Sequence, residues 1–195
     1  MRSIVVWMTG EERWVSKALE GDEEAFDRLL RPHRQGMMNL AFRMTGNHDS
    51  AEEICQEAMI KVFKYLNRFQ TGRSFRNWAF KITANAAYDY LRRQKKEETV
   101  IEGRKHVAVH SAPSPEKRVL NRDIARRLQS CLEFLTPKER MVLLLRDAEG
   151  FSVKETAGLM RSSSMAVRTH LSRARSKIRI RYPQVCSEIE GGNER

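Results

Sequence analysis

Residues 135–179 read LTPKERMVLLLRDAEGFSVKETAGLMRSSSMAVRTHLSRARSKIR, and the fold follows from that stretch. Thr136-Pro-Lys-Glu139 and Ser152-Val-Lys-Glu155 each fit a capping box. In such a box the hydroxyl accepts from the N3 amide and the acid reaches back to accept from the backbone N–H of the capping residue itself. Pro137 stands at N1, where its missing N–H is not needed. A scaffold helix, a turn at Glu149-Gly150, a short capped helix, a polar turn at 161–163 and a basic helix then follow in order. That succession is a helix-turn-helix, whose second helix enters the major groove of DNA. Along the last helix Val167, Leu171, Ala174 and Ile178 step by four, three and four and form an apolar stripe, which should pack on Ala157, Met160 and Leu143 or Leu144. The opposite face holds Met165, Thr169, Ser172 and Ser176, flanked by Arg168 and Arg173. Small polar residues let the backbone sit deep in a groove while arginine reaches bases or phosphates.

Working outward, apolar spacing stays helical. Ala51, Ile54, Cys55, Ala58, Val62 and Leu66 recur at threes and fours, as do Phe75, Ala79, Ile82 and Ala86, and no useful alternating run appears. The expectation is all-α: helices near 11–20, 22–31, 33–45, 49–68, 75–93, 115–134, 137–147, 153–160 and 164–181. Asp49-Ser-Ala-Glu52 is a third candidate capping box, and Ser114-Pro115 repeats the cap-plus-proline start. Residues 94–114 break the pattern and read as a flexible linker, ending in Ser111-Ala-Pro-Ser-Pro115. Such a chain reaches roughly 25 Å. Two small helical domains result, 17–93 and 115–181, with a tail at 182–195.

The formal net charge of +11 is concentrated in two blocks. Residues 61–96 carry ten Lys/Arg against one acid, Asp89, and residues 161–181 carry seven against none, leaving the remainder net acidic. Two basic blocks on an acidic remainder fit two polyanion surfaces. With no long apolar run beside them, nucleic acid is favoured over a membrane, and no membrane insertion is expected. The apolar run at 4–8 is too short for a secretory signal or a span. Cys55, Cys131 and Cys186 are scattered, with no CxxC pair or nearby histidine cluster. They fit reduced thiols in a cytoplasmic protein, with no metal and no cofactor expected.

In the N-terminal domain, Asp49, Glu52, Glu53 and Glu57 precede the first Lys/Arg of their helix. The helix dipole accounts for the first-turn acids but fades before Glu57. Glu53, Gln56 and Ile60 fall at i, i+3 and i+7, an exposed acidic stripe with one apolar member suited to a protein partner. Beyond it, Arg73, Phe75, Asn77, Trp78, Lys81, Asn85, Arg92 and Arg93 interleave basic, amide and aromatic side chains around Gly72. Aromatic faces stack unpaired bases at about 1–3 kcal/mol each while cations hold the backbone, which suits melted DNA. Phe75 and Trp78 read equally as core anchors at the start of a helix.

These motifs resemble those of the extracytoplasmic-function (group 4) sigma-70 family. Residues 18–69, from ALEGDEEAF to YLNRF, resemble regions 2.1–2.2; residues 69–96, FQTGRSFRNWAFKITANAAYDYLRRQKK, resemble regions 2.3–2.4; the helix-turn-helix with LTPKER and LSRAR resembles region 4. The resemblance implies a non-enzymatic alternative sigma factor. Region 2 would bind the β′ clamp helices of core RNA polymerase through Asp49, Glu53, Gln56, Glu57 and Ile60. It would also melt and read the −10 element, capturing a flipped non-template base with the loop 69–75. Asn77, Lys81, Asn85, Arg92 and Arg93 would line the adjacent strand. Region 4 would bind the β-flap and read the −35 duplex with Arg168, Thr169, Ser172 and Arg173, with Arg175 and Arg161 on phosphates. An anti-sigma partner is implied as well. The chain departs from the family at Thr156 (usually isoleucine), Arg161 (often glycine), 164–166 and His170. Two other readings differ in what they explain. A conventional helix-turn-helix regulator leaves the basic aromatic strip without a role, and an enzyme acting on nucleic acid lacks any acidic triad or nucleophile constellation.

Overall fold

The computed structural model describes residues 10–70, 72–100 (side chains to 94) and 128–181. The apolar run at 4–8, Thr71, residues 101–114 of the expected linker, the helix start at Ser114-Pro115, Cys186 and the tail lie outside them. All regular structure among the described residues is helical: α1 Gly10–Leu19, α2 Glu23–Thr45, α3 His48–Lys64, a 3-10 turn Leu66–Arg68, α4 Phe75–Val100, α5 over 128–133, α6 Pro137–Leu143, α7 Val153–Leu159 and α8 Ser164–Arg181. A π-helical turn, Leu144–Ala148, extends α6.

Three expectations change. α2 runs through Pro32 rather than breaking there. An internal proline costs about 3 kcal/mol by deleting one helical hydrogen bond. Here the freed carbonyl lies on the exposed side, while Leu29, Leu30, Met37 and Leu40 anchor both halves in the core. α3 is capped by Asn47, whose side chain accepts from the Ser50 amide at 2.9 Å, so Asp49 lies inside the helix and Asp49–Glu52 is no box. The left-handed Gly46 (φ 75°) ends α2 and delivers Asn47 in extended geometry, which starts α3 early. α4 continues to Val100, seven residues into the expected linker; lysine and glutamate propagate a helix well, and no glycine or proline intervenes before Gly103. The boxes at Thr136 and Ser152 form in full, with return bonds from Glu139 and Glu155 at 2.9 and 2.8 Å.

Helices α1 to α4 pack around Leu30, Met37, Leu40, Ile54, Val62, Phe75 and Phe80. Gly36 lets α4 come close, because a Cβ there would stand 2.6 Å from the Phe80 ring. The C-terminal unit closes on Val142, Ala157, Val167 and Leu171, with Leu143, Val153 and Met160 against them; of the predicted α8 stripe Val167, Leu171 and Ala174 are buried and Ile178 is half-buried. Thr156 is fully buried with no partner for its hydroxyl, and nothing in the structure explains the choice over an apolar residue.

The two units touch through apolar and polar side chains. Leu132, Leu135, Leu144, Leu145 and Phe151 join the same apolar cluster as the N-terminal helices, and the Phe80 and Phe151 rings lie 5.5 Å apart. Arg140 of α6, only 8% exposed, donates through Nε to the Leu132 carbonyl at 2.8 Å and through Nη1 to the Met44 carbonyl at the end of α2.

Candidate nucleic-acid interface

The α8 surface follows from its register. With Val167, Leu171 and Ala174 turned inward, Arg168, Thr169, Ser172, Arg173, Ser176 and Arg179 are left exposed. A shallow concavity of about 480 Å³ runs along this helix, lined by Arg168, Leu171, Ser172, Arg175, Ser176 and Arg179. Thr169 donates its hydroxyl to the Met165 carbonyl at 3.0 Å, so toward a ligand the oxygen is left as an acceptor. An acceptor there meets the exocyclic amine of adenine or cytosine. Met165, 68% exposed, stands one turn earlier. Arg175 is already engaged: Nη2 and Nε donate to Asp147 at 2.7 and 3.1 Å, which raises its pKa. A phosphate must therefore compete with that carboxylate.

Lys177 fixes α8 to the scaffold helix, donating to Glu139 Oε2 at 2.7 Å. Burial works to raise the Glu139 pKa, yet the bonds from Lys177 and Thr136 outweigh it and hold the carboxyl below its ordinary value. The sign follows: this contribution is present above the ordinary carboxylate range and fades as pH falls through the lowered value.

Arg161 adopts a left-handed conformation (φ 49°) at the turn between α7 and α8. Non-glycine residues pay about 1–2 kcal/mol there. Arg161→Gly is expected to raise stability by about 1 kcal/mol in urea unfolding. If its guanidinium contacts a phosphate, the slope of log affinity against log salt should fall by about one. A stable variant with an unchanged slope would remove Arg161 from the interface.

On α4 the placement is mixed. Arg73, Arg92 and Arg93 are exposed, Arg92 lying 3.6 Å from Asp89. Lys81 and Asn85 are half-buried along the same helix. Phe75 is 0% exposed and packs against Phe69 and Trp78 at 5.7 and 5.8 Å. A ring with no open face cannot stack a base, so Phe75 is a core anchor; Phe69 and Trp78 keep partial exposure. Asn77 donates to Glu155 Oε1 at 2.8 Å. Arg76, which the sequence reading passed over, donates to the Glu149 carbonyl at 2.8 Å and its carboxylate at 3.1 Å. Burial pushes the Glu149 carboxyl up, against the pull of Arg76 and Arg43.

The third surface lies on α3. Asp49, Glu53, Gln56 and Ile60 are exposed, Ile60 at 66%. Glu57 is half-buried and paired with Lys61 at 2.5 Å. Phe63, 54% exposed and edge-on to Phe26 at 5.0 Å, extends the stripe. It falls at i+3 from Ile60 and i+7 from Gln56, a spacing that was legible but unread.

Residues 29–97 match Sigma-70 region 2 and residues 125–178 match Sigma-70, region 4. The ECF RNA polymerase sigma factor SigE of Mycolicibacterium smegmatis is 32% identical over 164 residues, covering 82% of this chain and 63% of that protein. The RNA polymerase sigma-H factor of Pseudomonas aeruginosa is 27% identical over 176 residues, covering 86% and 91%. The solved structure of the sigma factor RpoE in complex with the anti-sigma factor NepR from Bartonella quintana has the same fold, with a TM-score of 0.66 at 23% identity, over 79% of this chain and 94% of that one.

Proposed function

The chain belongs to the extracytoplasmic-function group of the sigma-70 family, alternative sigma factors that direct RNA polymerase to promoters, and on that premise we propose how its surfaces divide the work. The α8 face reads the −35 duplex: Arg168 and Arg173 reach base edges or phosphates, Thr169 and Ser172 permit close approach, and Arg175 and Arg161 hold the backbone. The α4 face and the loop before it, with Arg73, Asn77, Trp78, Lys81, Asn85, Arg92 and Arg93, hold the opened non-template strand at −10. Phe69 replaces Phe75 as the stacking ring, being the aromatic of that loop that keeps partial exposure. Extruding a base costs a few kcal/mol, which stacking and phosphate contacts offset.

The α3 stripe of Asp49, Glu53, Gln56 and Ile60, extended by Phe63, docks on the β′ clamp helices, and the helix-turn-helix unit meets the β-flap. An anti-sigma protein that covers these surfaces accounts for regulation, a reading supported by the relative solved with one. The observation that carries the proposal is the α8 face: exposed arginines and small polar residues opposite the buried Val167, Leu171 and Ala174.

Runoff transcription with purified core polymerase tests it. A discrete, promoter-specific start is expected. Tight duplex binding with no such start would favour a conventional helix-turn-helix regulator. Arg173→Ala is expected to weaken binding to a −35 duplex by about 1–3 kcal/mol while polymerase pull-down stays unchanged. Equal loss in both would make Arg173 a folding residue.

A further inference from the structure

Resting on α8 as the duplex-reading helix proposed above, we infer that Met165 is a specificity-determining residue that reads the C5-methyl group of a thymine in the major groove. Among the described residues of the C-terminal unit, Phe134, Met165 and Ile180 are the large apolar side chains left exposed. Phe134 carries the Arg181 guanidinium 3.7 Å from its ring centroid. Ile180 stands in the last turn of α8, whereas a recognition helix contacts base edges through its N-terminal residues. Met165 differs from both. It is the second residue of α8 and 68% exposed, and it falls at i, i+4 and i+7 with Thr169 and Ser172, which are exposed as well.

The first turn of α8 is held firmly. Ser163 accepts from the Ala166 amide through Oγ at 3.1 Å and from the Val167 amide through its carbonyl at 3.0 Å. Val167 is fully buried, and two residues of helix turn Met165 about 160° away from it, outward. No acid lies between Thr156 and Arg181, so the surroundings of Met165 suit a polyanion rather than a basic protein surface. A thioether donates no hydrogen bond and accepts only weakly; Met165 therefore cannot tell one donor–acceptor pattern from another. The apolar group that a base pair presents in the major groove is the thymine methyl. The unbranched, adaptable methionine chain lies against it, and the water released adds affinity only where a thymine stands.

The test uses holoenzyme assembled from the full chain and purified core polymerase, with a promoter recovered by selection from duplexes randomised upstream of the start site. Each thymine of its −35 element, on either strand, is replaced in turn by deoxyuridine, which removes the methyl group and keeps every hydrogen-bonding edge. In competition binding the wild type is expected to lose about fourfold at one thymine, the contribution of one buried methyl. Met165→Ala should bind the unmodified promoter at least about fourfold more weakly and lose nothing further at that thymine. Met165→Leu should keep the sensitivity. Both variants should unfold in urea at the wild-type midpoint, as suits an exposed side chain. A wild type indifferent to every replacement overturns the inference, and so does a Met165→Ala chain that keeps the same loss. If Met165→Ala weakens binding to core polymerase while methyl sensitivity persists, Met165 is a protein contact and the inference falls. Arg173→Ala tests the underlying assignment separately. Weakened −35 binding in that variant, with no thymine that depends on Met165, overturns the role of Met165 alone; unchanged −35 binding in it and in Met165→Ala overturns α8 as the duplex reader.

Discussion

Arg140→Ala should be strongly destabilising, costing about 3–5 kcal/mol in urea unfolding. Arg140 is a buried cation on α6 whose guanidinium serves two carbonyls: Leu132 at 2.8 Å, just upstream of α6, and Met44 at the end of α2. Hydrogen bonds to a charged group contribute about 1.5–3 kcal/mol each, and a carbonyl stranded by truncation adds its own desolvation cost. The Met44 carbonyl belongs to the last turn of α2, where helix carbonyls lack intrahelical partners and a cation is favoured by the dipole. Burial lowers the Arg140 pKa, with the Glu133 carboxylate pulling the other way. A loss below about 1 kcal/mol would mean that water or a neighbour replaces both bonds and that Arg140 is no keystone between the units.

The largest functional effect is expected at Ile60. It is 66% exposed toward the C-terminal end of α3, between Gln56 and Phe63. An exposed isoleucine contributes little to folding, and surface changes of this kind stay within about 0.5 kcal/mol. At the centre of a docking surface the same side chain behaves as an anchor, and truncating such anchors costs 2 kcal/mol or more. Ile60→Glu is therefore expected to reduce affinity for core polymerase by at least about 30-fold, with an unchanged unfolding midpoint. Anisotropy with labelled protein and purified core polymerase reads the first quantity, and urea unfolding the second. Unchanged affinity would move the polymerase surface away from this stripe.

The elements and the α8 face were legible because they depend on local signals. Thr136 and Ser152 cap where their boxes say, since such a box is written within four residues. Val167, Leu171 and Ala174 are buried because helix periodicity alone sorts inside from outside once the helix exists. The misreadings arose where a neighbour decides. Pro32 breaks a helix in isolation, but core burial on both sides of it carries α2 through. Asp49 has the spacing of a cap, but Gly46 sets the chain so that Asn47 takes that role. Phe75 reads equally as a stacking ring or a core anchor; only Phe69 and Trp78 packed against it settle the matter.

By itself, then, the sequence determined an all-helical chain with a helix-turn-helix at its end, two basic blocks and an acidic-apolar stripe, because periodicity, caps and charge are properties of single helices. Tertiary structure decided what those surfaces are free to do. It placed Arg76 and Asn77 against Glu149 and Glu155, 73 and 78 residues away, and set the two domains against each other through Phe80 and Phe151. Such contacts leave no periodic trace, since each rests on one side chain meeting another across a long stretch of chain. The availability of a DNA-binding face is therefore a property of the packed molecule, even where its composition is written in one helix.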